Sequence, residues 1–349
     1  MAVALGSLIA DAKEKITLDD LAGKAVAIDA YNTIYQFITI IRQPDGTPLT
    51  DSKGMITSHL SGLFYRTINL LEHRITPIYV FDGIPPALKQ RTLEARASRR
   101  AEALKEWNKA LRKGMIEEAR VHAVASSRIS KEIVESAKQL LGHMGIAYVQ
   151  APSEGEAQAA RMTRDGVVYA SASQDYDIFL FGSDVVVRNL TITGKRKLPG
   201  KNVHVEVVPE LIELKKMLGS LGINRKQLVW LGMLMGTDFN SGIEGVGPKT
   251  ALKIVKSHRS LGSIVEYVRT KYGKEFDVEP VEIEAVFLEP ETAAINKKEV
   301  EINAKVDKGA LVRFMSDEHG FSQERIAKFA DTLAELKSKA GQKGIGSWV

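Results

Sequence analysis

The chain has 349 residues, 44% of them hydrophobic and 26% charged, enough for one large α/β core or two smaller ones, with a formal charge of +5. It contains no cysteine, which excludes disulfides, zinc–thiolate centres and thiol nucleophiles. No apolar run approaches the roughly 18 residues of a membrane span, and the amino-terminal MAVALGSLIADAKEK turns charged too early for a secretory signal, so a soluble intracellular protein is expected.

From Leu18 to about Leu190, short β-branched runs alternate with helical periods, the pattern of a mainly parallel α/β sheet with helices on both faces. Strands are predicted at Ala25–Asp29, Pro77–Gly83, Gly145–Gln150 and Val167–Asp177. Helices are predicted at Asn32–Arg42, Thr57–His73, Lys131–Met144 and from Pro152–Ser153 onward. Alternation around Gly194 and Gly200 predicts antiparallel strands joined by a basic turn. Beyond Pro209 the pattern is helical, at Pro209–Leu218, Arg225–Met235, Pro248–Lys256, Leu261–Lys271, Lys308–His319 and Ser322–Lys339, a smaller helical lobe. Residues 278–307 read as an acidic, extended connection and the last stretch, AGQKGIGSWV, as a flexible tail.

Seven acidic residues, Asp29, Asp82, Glu154, Glu156, Asp175, Asp177 and Asp238, sit where apolar runs end or helices begin, the edge at which open parallel sheets bind ligands. Two unit charges about 4 Å apart repel by about 4 kcal/mol at an effective dielectric near 20. A shared cleft therefore demands raised pKa values or cations, and an oxygen-only donor set suits Mg²⁺ or Mn²⁺. Taken singly, each Asp also reads as a helix cap or turn residue. Ser153 with Glu156 matches a capping box, which leaves Glu154 unexplained. Asp175 and Asp177, two apart in an extended segment, are predicted to point the same way. Asp238, in GMLMGTDFNSG, alone reads as a turn.

Lys89 to Arg120 holds ten basic and five acidic residues, so its excess equals that of the whole chain. Helical spacing puts Lys89, Arg96 and Arg100 near one face. A solvated helix with internal ion pairs is the plainer reading, but the segment issues directly from Asp82, which favours phosphate binding. In GIEGVGPKTALKIVK, Gly245 and Gly247 free backbone amides and Pro248 suits the first helical turn, a hairpin able to hold a DNA phosphate with charge from Lys249, Lys253 and Lys256. The closing QKGIGSWV spaces Gln342, Ile345 and Trp348 like one helical turn suited to an apolar groove.

With AIDAYNTIYQF, YVFDGIPPALK, PSEGEAQAA, SQDYDIFLFG and GTDFNSGIEGVGPKTALKIVK in this order, the sequence resembles the flap endonucleases among the structure-specific 5′ nucleases over nearly its whole length. The resemblance implies a Mg²⁺-dependent phosphodiesterase that cuts 5′ flaps at single-strand/double-strand DNA junctions, with 5′ exonuclease action, in replication and repair. It matches the seven carboxylates to a two-ion site in which Mn²⁺ can substitute, and Lys89 and Arg96 to arch residues that steer the scissile phosphate. Tyr35, by composition a buried helix residue, matches a base-stacking tyrosine. Arg42, Arg100, Gly245, Gly247, Lys249 and Lys253 are expected DNA contacts, with K⁺ at the hairpin. Gln342, Ile345, Trp348 and Val349 resemble the motif that docks on the replication sliding clamp. A monomer of archaeal type, cytoplasmic or nucleoid, is implied.

Residues 1–110 then form an N-terminal nuclease region with a basic arch, and 111–270 an internal nuclease region with a helix-hairpin-helix motif at about 231–257. Residues 271–340 form a C-terminal helical part of the same compact domain, and 341–349 a clamp-binding tail. Two departures stand out: Met1 is followed by Ala2 where the family has glycine, and the tail ends in Trp348 and Val349 in place of two aromatics. A bubble-cutting repair relative is the nearest alternative, set apart by a longer insertion after the Asp82 region. A non-catalytic, clamp-recruited DNA scaffold is the other, and the intact acidic set argues against it.

Overall fold

The structure, a computed structural model, describes residues 3, 5–43, 45–192, 194–197, 204–301 and 305–343. Its strands are β1 (Lys13–Lys15), β2 (Ala25–Asp29), β3 (Thr76–Phe81), β4 (Tyr148–Gln150), β5 (Ala170–Ala172), β6 (Val185–Arg188), β7 (Gly194–Lys197), β8 (His204–Val207) and β9 (Glu210–Glu213). Seven form one sheet in the order β1-β9-β6-β5-β2-β3-β4, and β7 with β8 forms the predicted antiparallel pair. From β6 to β4 the neighbours run parallel, whereas β9 is antiparallel to both β6 and β1.

The helices are α1 (Ala30–Ile40), α2 (Ser58–Glu72), α3 (Gln90–Arg112), α4 (Ile116–Ala125), α5 (Lys131–His143), α6 (Gly155–Arg164), α7 (Asp177–Leu180) and α8 (Leu214–Leu221). They continue with α9 (Arg225–Met235), α10 (Pro248–Ser257), α11 (Leu261–Tyr272), α12 (Pro280–Leu288), α13 (Lys297–Glu301), α14 (Lys308–Val312) and α15 (Gln323–Lys343). A π-helical stretch, Arg313–Glu318, joins the last two.

Central strands covered on both faces must be apolar on both, and β2 and β3 are. Val26, Ile28, Tyr79 and Phe81 enter one core, with Ile34, Phe64, Leu140 and Leu333 from α1, α2, α5 and α15. Ala27, Ile78 and Val80 enter the other, with Ala160, Leu231, Ile254 and Phe287 from α6, α9, α10 and α12. The residues beyond β3 are different in kind. The long α3 buries only Ala110 and turns into α4 at Gly114, whose φ of +69° suits glycine.

Four expectations need correction. Val167–Asp177 is not one extended run: β5 stops at Ala172 and Asp177 opens α7, because Ile178, Phe179 and Leu180 are buried as a single helical turn. Short apolar runs carry no periodicity that separates the two states. Pro209–Leu218 begins as β9, since Leu211 and Ile212 are buried between β6 and β1, and becomes helical only at Leu214. Residues 278–307 contain α12 and α13, Pro280 being compatible with a first helical turn. The predicted last helix runs on to Lys343, into the expected tail.

Candidate active site

Three adjacent parallel strands deliver carboxylates to one edge of the sheet. Asp29 ends β2, Asp82 follows β3, and Asp175 lies in the loop after β5. Asp29 is also the cap of α1, its Oδ1 accepting the Asn32 amide at 2.9 Å, so the cap reading and the cluster reading hold together. Asp82 Oδ1 accepts the Gly155 amide at 2.7 Å, at the start of α6. A Cβ on residue 155 would lie 2.6 Å from that same oxygen and push the carboxylate aside, so glycine suits this close approach.

Glu154 is the residue that precedes α6 and Glu156 lies in its first turn, where the helix dipole favours negative charge. The capping box proposed for Ser153 and Glu156 is absent: the N-cap position is Glu154, whose own side chain makes no capping bond. Glu156 Oε1 instead accepts the Ser173 hydroxyl at 2.8 Å, on the cluster side. Asp177 accepts the Val3 amide at 2.7 Å, which brings the buried amino-terminal segment against the site. Asp238 follows α9 in a turn tied by Thr237 and Asn240.

The seven groups act on one another electrostatically. Burial and the nearby Asp82 and Asp175 raise Asp29 well above the usual carboxylate range. Burial, then Glu154 and Asp238, push Asp82 up to about 6. Glu156 is raised well above its ordinary value by burial and by Asp175, Asp29 and Asp177, and Asp177 reaches about 7. Burial, then Asp238, raise Asp175. Asp238 alone falls: burial would raise it, but nearby positive charge, Lys89 foremost and Arg96 among the rest, outweighs that.

Both cations come from the base of the basic segment. Lys89 Nζ lies 2.5 Å from Glu154 Oε2 and 3.4 Å from Asp238 Oδ2, and Arg96 pairs with Asp238 Oδ1. Thr92, one turn along α3, donates its hydroxyl to the Asp238 carbonyl at 2.7 Å. Among the described residues no three acidic or histidine groups stand as a ready-made coordination set for one ion. The donor chemistry nevertheless fits hard divalent cations: seven carboxylates, no nitrogen or sulfur ligand, and five members held against ionisation by burial and mutual repulsion.

Other predicted residues fall in distinct places. Tyr35 is 41% exposed on α1, contrary to the buried position expected from composition. The Arg42 guanidinium is engaged by the carbonyls of Ile38 and Gly46 and by the Ser127 hydroxyl, bracing α1 against the end of α4. Arg100 lies one helical turn beyond Arg96 on α3. Gly245, Gly247, Lys249 and Lys253 are exposed between α9 and along α10, anchored by buried Ile243 and Val246. Gly245 takes φ +83°. Gln342 is near the end of α15, while Ile345, Trp348 and Val349 lie outside the described residues.

Two neutral residues that the sequence did not single out also touch the cluster: Asn32, whose Nδ2 donates to Asp175 Oδ2 at 3.1 Å, and Ser173, which also accepts the Asp175 amide at 3.1 Å. Asn32 falls three residues after Asp29 on the first turn of α1, and that proximity was the one available signal.

Family models match two stretches, the XPG N-terminal domain over residues 1–103 and the XPG I-region over residues 145–238. The chain is 50% identical to flap endonuclease 1 of Pyrococcus furiosus, covering 100% of this chain and 99% of that protein. It is 48% identical to the Staphylothermus marinus protein of the same name, again over 100% and 99%. The solved flap endonuclease-1 from Methanococcus jannaschii superposes with a TM-score of 0.74 at 40% identity, covering 97% of this chain and 99% of that one. The catalytic core of Rad2 in complex with DNA substrate shares the fold at 22% identity, TM-score 0.68, over 95% and 100%. With identity near one half along the entire chain and both family regions in place, the chain belongs to the flap endonucleases, metal-dependent, structure-specific nucleases.

Proposed function

We propose that the seven carboxylates hold two Mg²⁺ ions, which Mn²⁺ can replace, and that the site hydrolyses the phosphodiester at the junction of a 5′ flap, with 5′ exonuclease action on related ends. The observation that carries the reading is the pairing of Lys89 and Arg96 with the acidic cluster from the base of α3. Those cations stand where a phosphate brought to the carboxylates would meet two charged donors. Bound divalent ions supply an ionised water at neutral pH and counter-charge for the leaving oxygen, so no covalent enzyme intermediate is required.

The chain's own groups then divide the work. Asp29, Asp82, Glu154, Glu156, Asp175, Asp177 and Asp238 place the ions, Lys89 and Arg96 draw the scissile phosphate in, and exposed Tyr35 offers a ring on which a base can stack. The exposed amides of Gly245 and Gly247, with Lys249 and Lys253 on α10, suit the backbone of a duplex, and a K⁺ ion there is part of the reading. The tail from Gln342 to Val349 is assigned to the sliding clamp, and the protein to a monomer acting in replication and repair.

Replacing Asp175 by Asn tests the assignment. Cleavage should fall about a thousandfold, equivalent to about 4 kcal/mol in the barrier, while flap binding in EDTA stays within about twofold. Retained full activity would remove Asp175 from the site.

A further inference from the structure

Asp175 and Asp177 reach the cluster from one short loop between β5 and α7, and a side chain from another strand grips that loop. Arg188, the last residue of β6, donates from Nε at 3.3 Å and Nη2 at 3.1 Å to the Gln174 carbonyl, and from Nη1 at 2.5 Å to the Tyr176 hydroxyl. Its guanidinium carbon stands 4.2 Å from the centre of the Tyr176 ring. Behind it, Glu210 on β9 lies opposite Arg188 in the ladder and accepts from Nη1 at 3.4 Å. Lys13 on β1 joins the same carboxylate at 3.8 Å and lies 5.6 Å from the Tyr176 ring.

Strands β6, β9 and β1 supply none of the seven carboxylates, yet β6 and β1 reach Tyr176, the residue between Asp175 and Asp177, through Arg188 and Lys13, and β9 backs both with Glu210. Tyr176 is thus held at its ring, its hydroxyl and the carbonyl two residues before it. The planar fork of arginine can make the carbonyl and hydroxyl bonds while stacking on the ring; a lysine ammonium cannot match that geometry. The other ties act on single groups, Asn32 on the Asp175 carboxylate, Val3 on the Asp177 carboxylate and Ser173 on the Asp175 amide, whereas Arg188 holds Gln174 and Tyr176 at once.

We propose that Arg188 is a positioning residue for the divalent-ion site: by clamping Gln174 and Tyr176 it fixes where the Asp175 and Asp177 carboxylates point, touching neither ion nor DNA. The inference rests on the assignment of Asp175 and Asp177 as ion ligands. Partners that orient metal ligands commonly change ion affinity by about 10- to 100-fold when removed.

Titration calorimetry with Mn²⁺ on the full chain without DNA separates the possibilities, with thermal melting and flap-DNA affinity in EDTA measured in parallel. Arg188→Gln should bind Mn²⁺ about tenfold more weakly, keep wild-type flap affinity, and recover cleavage as Mn²⁺ is raised. Arg188→Lys and Tyr176→Phe should show smaller losses of about threefold, by keeping respectively the charge and the stacked ring. Should Arg188→Gln melt below the assay temperature, these two variants decide by the same criterion. Wild-type Mn²⁺ affinity in the folded Arg188 variants, alongside lost binding in Asp175→Asn, overturns the clamp and leaves the ligand assignment standing. Wild-type binding in Asp175→Asn overturns the ligand assignment, and the clamp with it.

Discussion

At Asp29, Asp82, Glu156, Asp175 and Asp177 burial and carboxylate repulsion act together to favour the protonated form, and that preference has a measurable sign. Without divalent ions, Asp177 titrates near 7 and Asp82 near 6, against an ordinary 3.8. The folded chain then binds these protons more tightly than the unfolded chain, so stability falls as pH rises. The contribution of the two groups is complete below about pH 3.8 and is lost as the pH climbs through about 6 and about 7. In EDTA at pH 8, Asp177→Asn should therefore melt about 2–4 °C above the parent, an advantage that fades below pH 6. An unchanging difference across that range would disprove the shift. Gly155→Ala tests the close approach of α6: its Cβ would lie 2.6 Å from Asp82 Oδ1, so the carboxylate must move. Cleavage should drop about tenfold or more with the melting temperature lowered by only a few degrees. The seven carboxylates were legible in the sequence because each interrupts an apolar run or opens a helix. Asn32, Ser173 and Arg188 were not, because a neutral or basic side chain that acts on a distant loop leaves no local pattern.

Among the elements, those with a clear period were read closely from the sequence, and those whose state is decided by neighbours were not. Strand β2 and helices α2, α5, α9 and α10 lie within two residues of their predicted bounds, since apolar runs bounded by polar, proline or glycine residues mark them. Strand β9 and helix α7 were misread because burial against β6 and β1, or in the core below β5, decides their conformation. The capping-box alternative for Glu156 failed because the N-cap position is Glu154, leaving Glu156 to reach Ser173. Helix α10 carries a prediction of its own. If its amino end and lysines hold a duplex backbone, Lys249→Ala weakens duplex binding alike for all sequences and lowers the slope of log affinity against log salt by about 1. An unchanged slope in a salt titration would place the duplex elsewhere.

As a whole, the molecule gathers its chemistry where the strand order turns back. Strand β2 lies between β3 and β5, and the crevice above their carboxyl ends receives Asp29, Asp82 and Asp175. The base of the basic α3 closes over that crevice through Lys89 and Arg96, while α9 contributes Asp238 and leads into the glycine hairpin. Among the described residues no helix is long and apolar enough to cross a membrane. The proposed function assigns the ions to that crevice, the scissile phosphate to Lys89 and Arg96, and the duplex to the hairpin. A cleavage assay on labelled 5′-flap, bubble and plain duplex DNA, each with Mg²⁺ and with EDTA, tests it most directly. The account predicts incision of the flap substrate at its junction with Mg²⁺, little on bubble or plain duplex, and none in EDTA; preferred cutting of the bubble, or flap binding without incision in Mg²⁺, would contradict it.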